Sequence, residues 1–161
     1  MSQACDRLPM DLDRVGVVVV DHGSRRAQSN ALLLQVVRAY ADQSRFKIVE
    51  PAHMEIAPPT LADAFDRCVA RGANCVVVMP YFLLPGKHWD VDIPRLSATA
   101  AQRHPGLSFM VTAPLGLHPM IHQVIEARID YCLRHAGGTA PDCPVCGGAD
   151  RCVLRTPSAA K

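Results

Sequence analysis

Apolar residues fall in short runs, separated by stretches where they recur at helical spacing. "VGVVVVD", residues 15–21, is a nearly unbroken β-branched run, the pattern of a strand buried on both faces. Leu32, Leu33, Val36, Val37 and Tyr40 then repeat with helical period, and Ser24 is expected to cap that helix. "FKIVEPAHM" predicts a second strand, although Pro51 within it cannot donate to a ladder. Thr60 should cap a second helix with the stripe Leu61, Ala64, Phe65, Cys68 and Val69, and Gly72 should stop it. "CVVVMPYFLL" predicts the third strand, and "LSFMVTAPL" the fourth. Between them, Pro94 fits the first turn of a third helix running to about His104. A fourth helix, from about Pro119 to His135, sets Ile121, Val124, Ile125, Ile129 and Cys132 on one side.

The order βαβαβαβα predicts an α/β fold: a parallel, four-stranded, doubly wound sheet with helices on both faces and right-handed crossovers. Residues 1–13 read as an N-terminal extension, 14–135 as the domain and 136–161 as a Cys-rich tail. That tail has too few large apolar residues to pack alone, so it is expected to be disordered or tied down by a metal.

Composition narrows the classes. A chain of 161 residues suits one domain with its own core. A formal charge of +2 is too small for a nucleic-acid footprint. No apolar run approaches the roughly 20 residues that span a bilayer. The start, "MSQACDRLPMDLDR", reads as neither a signal nor a transit peptide, so the expectation is a cytoplasmic protein, with a mature organellar form as the alternative. The chain has seven cysteines and no export signal, which suggests metal ligands rather than disulfides.

Open α/β sheets bind ligands beyond the carboxyl ends of their strands. There the first strand ends in Asp21, His22, Gly23 and Ser24, and the second in His53, Met54 and Glu55. Beyond the third strand, "PYFLLPGKHW" carries an apolar run through the Pro85-Gly86 turn to Lys87, His88 and Trp89. The fourth ends near His118. Two neutral imidazoles converging with a carboxylate suit a divalent first-row metal ion, and histidine also relays protons. Plainer roles compete. His22 can simply stabilise its turn, and Glu55 is either a ligand or solvated. His53 reads as a hydrogen-bonded strand residue and Lys87 as a solvated rim charge. His104 and His135 suit helix C-termini, and His118 and His122 a helix start.

"VDHGSR", "HMEIAPPT" and "PYFLLPGKHWDVDIPRL" together resemble the small-type class II chelatases, the sirohydrochlorin ferrochelatases and cobaltochelatases of siroheme and cobalamin synthesis. The resemblance runs over about residues 14–135. It implies the flavodoxin-like half of a chelatase fold and a homodimer. It implies that a divalent metal, Fe2+ or Co2+, is inserted into sirohydrochlorin. His22 and His88 match the family's metal-binding and proton-accepting histidines. Leu83, Leu84, Pro85, Gly86, Lys87 and His88 match its tetrapyrrole-contacting loop. Pro58 falls at a further contact position, where the family usually carries glutamate.

Cys132, Cys143, Cys146 and Cys152 form C-x10-C-x2-C-x5-C, a set able to hold zinc or an iron–sulfur cluster. Cys132 also shares the apolar face of the fourth helix, so a core cysteine is the plainer reading. "VTAPLG" and "RIDYCL" are similar to segments of the plant and cyanobacteria-like ferrochelatases, whose C-terminal cysteines bind a [2Fe–2S] cluster. That resemblance favours the cluster over structural zinc. Two other functions compete with a chelatase: a non-catalytic metal carrier using the same histidines and cysteines, and a histidine phosphatase. Phosphatases place arginine directly before the histidine, and Asp21 stands there instead and would repel phosphate.

Overall fold

The computed structural model describes residues 11–143, 145, 154 and 155. The β-branched run forms β1 (Val15–Asp21), buried at every residue but the last. It is followed by α1 (Ala27–Ala41), β2 (Ile48–His53), α2 (Leu61–Ala70), β3 (Cys75–Pro80), α3 (Ile93–Ala101), β4 (Ser108–Val111) and α4 (Pro119–Ala136). The strands are all parallel in the order β2-β1-β3-β4, with Val17 of β1 opposite both Val49 and Val77. Successive side chains of a strand point to opposite faces, so β1 feeds two cores. Val18 and Val20 join Phe65 and Cys68 of α2 and Ile93 and Ala100 of α3. Val15, Val17 and Val19 join Leu33 and Val37 of α1. Helices therefore cover both faces, and the doubly wound α/β fold expected from the sequence is the one observed.

Local chemistry explains most element boundaries. Thr60 accepts from the Asp63 N–H while the Asp63 carboxylate accepts from the Thr60 N–H, a reciprocal cap. Those hydrogen bonds, the backbone one first, hold the Asp63 carboxyl below the usual carboxylate range. Ser24 does not cap α1. Asn30 engages both its N–H and its carbonyl, at 2.9 and 2.8 Å, which keeps Ser24 in the preceding loop. The helix starts three residues later, after Arg26, whose side chain makes no capping bond. The third and fourth strands stop at Pro80 and Val111, short of their apolar runs. Each extends by one more backbone bond, Tyr81 N–H to Val20 O at 2.7 Å and Thr112 N–H to Val78 O at 2.9 Å.

Helix α2 lies directly on β1. A Cβ added to Gly16 would stand 2.8 Å from both Cβ and Sγ of Cys68. Burial, and secondarily the Glu50 charge, push the Cys68 thiol up to about 12. A thiol so raised is inert. Iodoacetamide at pH 8 is expected to leave Cys68 unmodified in the folded protein and to label it once the chain is denatured, as read by peptide mass spectrometry.

The chain divides into two compact units, residues 1–116 and 117–161. Within the second, His118 caps α4, its ring nitrogen accepting from the Met120 N–H at 3.2 Å. The Tyr131 hydroxyl donates to the Pro141 carbonyl at 2.9 Å, and His135 pairs with Asp142 at 3.0 Å. No residue of α4 is buried, and Val124, Ile125 and Ile129 of its apolar side are about half exposed. Periodicity selects a helix face without determining what covers it. No helix among the described residues is long and apolar enough to cross a membrane.

Candidate functional site

β1 and β3 are neighbours, yet the chain leaves β1 toward α1 on one face and leaves β3 toward α3 on the other. In open α/β sheets such a divergence marks the place, at the carboxyl ends of the two strands, where ligands bind. His22 follows β1 immediately. His88 begins a five-residue π-helical turn, His88–Asp92, that runs directly into α3. The two imidazoles meet with ring centroids 5.1 Å apart and planes at 64°.

Each ring is held at its Nδ1. That of His22 lies 3.1 Å from the Gly23 carbonyl, which can only accept, so this nitrogen carries the proton. Its Nε2 then points at Glu55, whose Oε1 is 2.8 Å away. The Nδ1 of His88 lies 2.8 Å from Oδ2 of Asp92. The hydrogen bond from His88, and after it the charges of Lys87, His88 and Arg95, hold the Asp92 carboxyl below the usual carboxylate range. Phe82 flanks His88, its ring centroid 6.5 Å from the imidazole. The Trp89 indole N–H donates to the Thr112 carbonyl at 2.8 Å and ties the π-turn to the end of β4.

A second frame fixes His22 against Glu55. The Met54 N–H reaches the Asp21 carbonyl at 2.8 Å, and the Glu55 N–H reaches the His22 carbonyl at 3.2 Å. Asp21 Oδ1 accepts from the Gly23 N–H at 2.9 Å and from Nδ1 of His53 at 2.5 Å. His53 is fully buried, and its Nε2 has no partner among the described residues. Gly23 adopts φ +85°, and a Cβ there would stand 2.1 Å from the Glu55 carbonyl oxygen.

The rim is apolar with cations beside it. Leu83 and Leu84 are 62% and 67% exposed, and Pro85, Gly86 and Lys87 continue the exposed loop to His88. Ile56 is exposed as well and holds φ +72°, a strained conformation for a β-branched residue. Pro58 is exposed in the loop from β2 to α2, which also carries Glu55; Arg25 and Arg26 are exposed after His22. An apolar cavity of about 280 Å³, lined by Val19, Val37, Met79, Leu115 and neighbours, contains none of the site histidines or carboxylates.

The structure thus brings His22 and His88 together as the sequence led us to expect, with Glu55, which the sequence left as either a ligand or solvated, beside His22. It places His88 in a helical turn rather than on an open loop, because Gly86 O accepts from the Asp90 N–H at 2.9 Å and starts the turn early. Asp92, Phe82 and the pairing of Asp21 with His53 escaped sequence reasoning. Only Asp92 left a signal, the i, i+4 spacing from His88. Among the described residues no three His, Cys, Asp or Glu side chains are arranged to hold a metal ion. Of the cysteine set, Cys132 lies on α4 and Cys143 is buried, its Sγ accepting from the Val145 N–H at 3.4 Å. Cys146 and Cys152 lie outside the described residues.

Paired imidazoles, flanking carboxylates and an exposed apolar lip at the carboxyl ends of the strands define a site-bearing α/β protein of the doubly wound class. The CbiX family model matches residues 16–132, and the chain belongs to that family. It is 49% identical to the chloroplastic sirohydrochlorin ferrochelatase of Arabidopsis thaliana, over 88% of this chain and 63% of that protein. It is 26% identical to the sirohydrochlorin cobaltochelatase of Priestia megaterium, over 91% of this chain and 47% of that protein. The chain therefore spans about half to two thirds of the length of these two relatives. Among solved structures, the sirohydrochlorin chelatase SirB of Bacillus subtilis in complex with cobalt superposes with a TM-score of 0.69 at 26% identity, covering 73% of this chain and 50% of that one.

Proposed function

We propose that this protein is a sirohydrochlorin chelatase, inserting Fe2+ or Co2+ into the macrocycle for siroheme or cobalamin synthesis. The observation that carries the reading is the meeting of His22 and His88, 5.1 Å apart, beside the exposed lip Leu83-Leu84. The names of its relatives, ferrochelatase and cobaltochelatase, support the same substrate and leave both metals in play.

The metal ion is a substrate here. His22 and His88 bind it, His88 through Nε2; Nε2 of His22 faces the Glu55 carboxylate at 2.8 Å, and the ion takes the place of the proton that this pair shares. Two pyrrole N–H protons must leave as the metal enters, and imidazoles beside the ring accept them. Leu83, Leu84, Pro85, Gly86 and Lys87, with Pro58, form the macrocycle's seat. Flat apolar surface packs on the leucines, and Lys87, Arg25 and Arg26 attract the peripheral carboxylates. A homodimer completes the assembly. The chloroplastic location of the Arabidopsis relative favours the organellar alternative over the cytoplasm.

Cys132, Cys143, Cys146 and Cys152 are assigned to a [2Fe–2S] cluster, with structural zinc as the alternative. The hydrogen bond from the Val145 N–H to the buried Cys143 sulfur fits a thiolate ligand, because such donors stabilise cluster sulfur. When bound, the cluster supplies one-electron redox capacity. Brown colour bleached by dithionite supports this assignment, and a colourless zinc protein purified without air overturns it.

The function is tested by mixing protein, sirohydrochlorin and Fe2+ or Co2+ without oxygen and following the macrocycle spectrum. Insertion above the uncatalysed rate is expected. A metal carrier binds the ion and gives no acceleration.

A further inference from the structure

The chelatase reading assigns roles to the imidazoles and none to the group that aims the second one. The geometry points to Asp92 as the positioning residue of His88, holding its Nδ1–H so that the Nε2 lone pair is presented to the metal and the macrocycle.

Three observations carry this. First, the hydrogen bond at 2.8 Å has one consistent sense, because a carboxylate only accepts and Nδ1 must therefore donate. A free neutral imidazole carries its proton on either nitrogen; in the neutral ring this bond commits it to Nδ1, and Nε2 keeps the lone pair. Second, Asp92 is itself fixed. Its side chain is only 20% exposed, while that of His88 is 48% exposed, and its other oxygen lies 3.7 Å from the Arg95 guanidinium. The next residue, Ile93, is fully buried and anchors the turn in the core. A half-exposed ring on an unsupported loop would lose rotamer freedom each time it bound; here the frame has already restricted it. Third, the π-turn itself sets the pair. The Ile93 N–H bonds to the His88 carbonyl, the wide π-type closure, and this turn carries both His88 and Asp92. His22 is also held at Nδ1, by a backbone carbonyl, but its Nε2 is engaged by the Glu55 carboxylate at 2.8 Å, so a carboxylate stands behind the one ring and in front of the other.

The inference rests on the chelatase reading for its effect on rate, but the orientation of the ring can be read without turnover. The experiment records the 15N resonances of His88 in the wild-type protein, Asp92→Ala and Asp92→Asn, alongside kcat and KM for sirohydrochlorin. The wild-type ring is expected to be protonated at Nδ1 and bare at Nε2, and Asp92→Ala to lose that preference. Insertion by Asp92→Ala should fall about 10–100-fold in kcat, the usual cost of removing the carboxylate behind a ligating histidine, with KM unchanged. Asp92→Asn, whose amide oxygen can still accept, should recover part of the rate, and it serves as the test if the alanine variant does not fold. A wild-type ring protonated at Nε2, or a variant with wild-type kcat, overturns the role of Asp92. A wild-type protein that shows the expected tautomer yet inserts no metal overturns the chelatase reading and leaves the hold of Asp92 on His88 intact.

Discussion

Replacing His88 with alanine is expected to lower the rate of metal insertion into sirohydrochlorin by about 10²–10⁴-fold, the range of a lost acid–base group. Stability should change by no more than about 0.5 kcal/mol, because the side chain is about half exposed and buries little on folding. The pairing of effects is what matters. A metal ligand that also accepts protons affects kcat heavily, whereas a solvated loop residue affects neither quantity. Insertion assays on the purified variant, with urea denaturation as the fold control, check both. An unchanged rate removes His88 from the mechanism. His22→Ala should match it in direction, with Glu55 left without its imidazole partner.

Gly23→Ala tests the frame rather than the chemistry, and both stability and activity should fall. The residue sits at φ +85°, where an L side chain costs about 1–2 kcal/mol. Its Cβ would also stand 2.1 Å from a backbone oxygen, that of Glu55, which cannot rotate away as a side chain would. The loop carrying Glu55 or the one carrying His22 must move, and the bonds from Gly23 N–H to Asp21 and from Glu55 N–H to His22 O then stretch or break. A total loss of about 3 kcal/mol is expected, at the upper end of ordinary point substitutions. The urea midpoint reads it directly. A variant with the wild-type midpoint and rate would show that the two loops are not locked together as described.

Much of this architecture is legible in the residues. The run Val17–Val20 has no polar alternation, so it requires cover on both faces, and only a sheet wound by helices on each side supplies that. The Thr60–Asp63 box marks a helix start from local chemistry alone. His22 and His88 are legible because each follows a strand, and strands flanking a switch point bring their trailing loops together. The failures share a cause: they depend on partners distant in the chain or on geometry with no sequence mark. His53 looks like any polar strand residue until Asp21, on the neighbouring strand, is seen beside it. Pro85-Gly86 reads as an open turn, and without a helical turn over "KHWDVD" the i, i+4 spacing of Asp92 from His88 could not be read as a pair. Ser24 has the composition of a cap, and only Asn30 shows that it is engaged elsewhere.

The seat of α2 on β1 has an evolutionary corollary. With Gly16 pressed against Cys68, the volumes available at these two positions are a shared quantity. Substitution at either is constrained by its counterpart, so an added methyl at position 16 requires a residue smaller than cysteine at 68. In libraries randomised at both sites and sorted for folding, the survivors should show the two positions changing together.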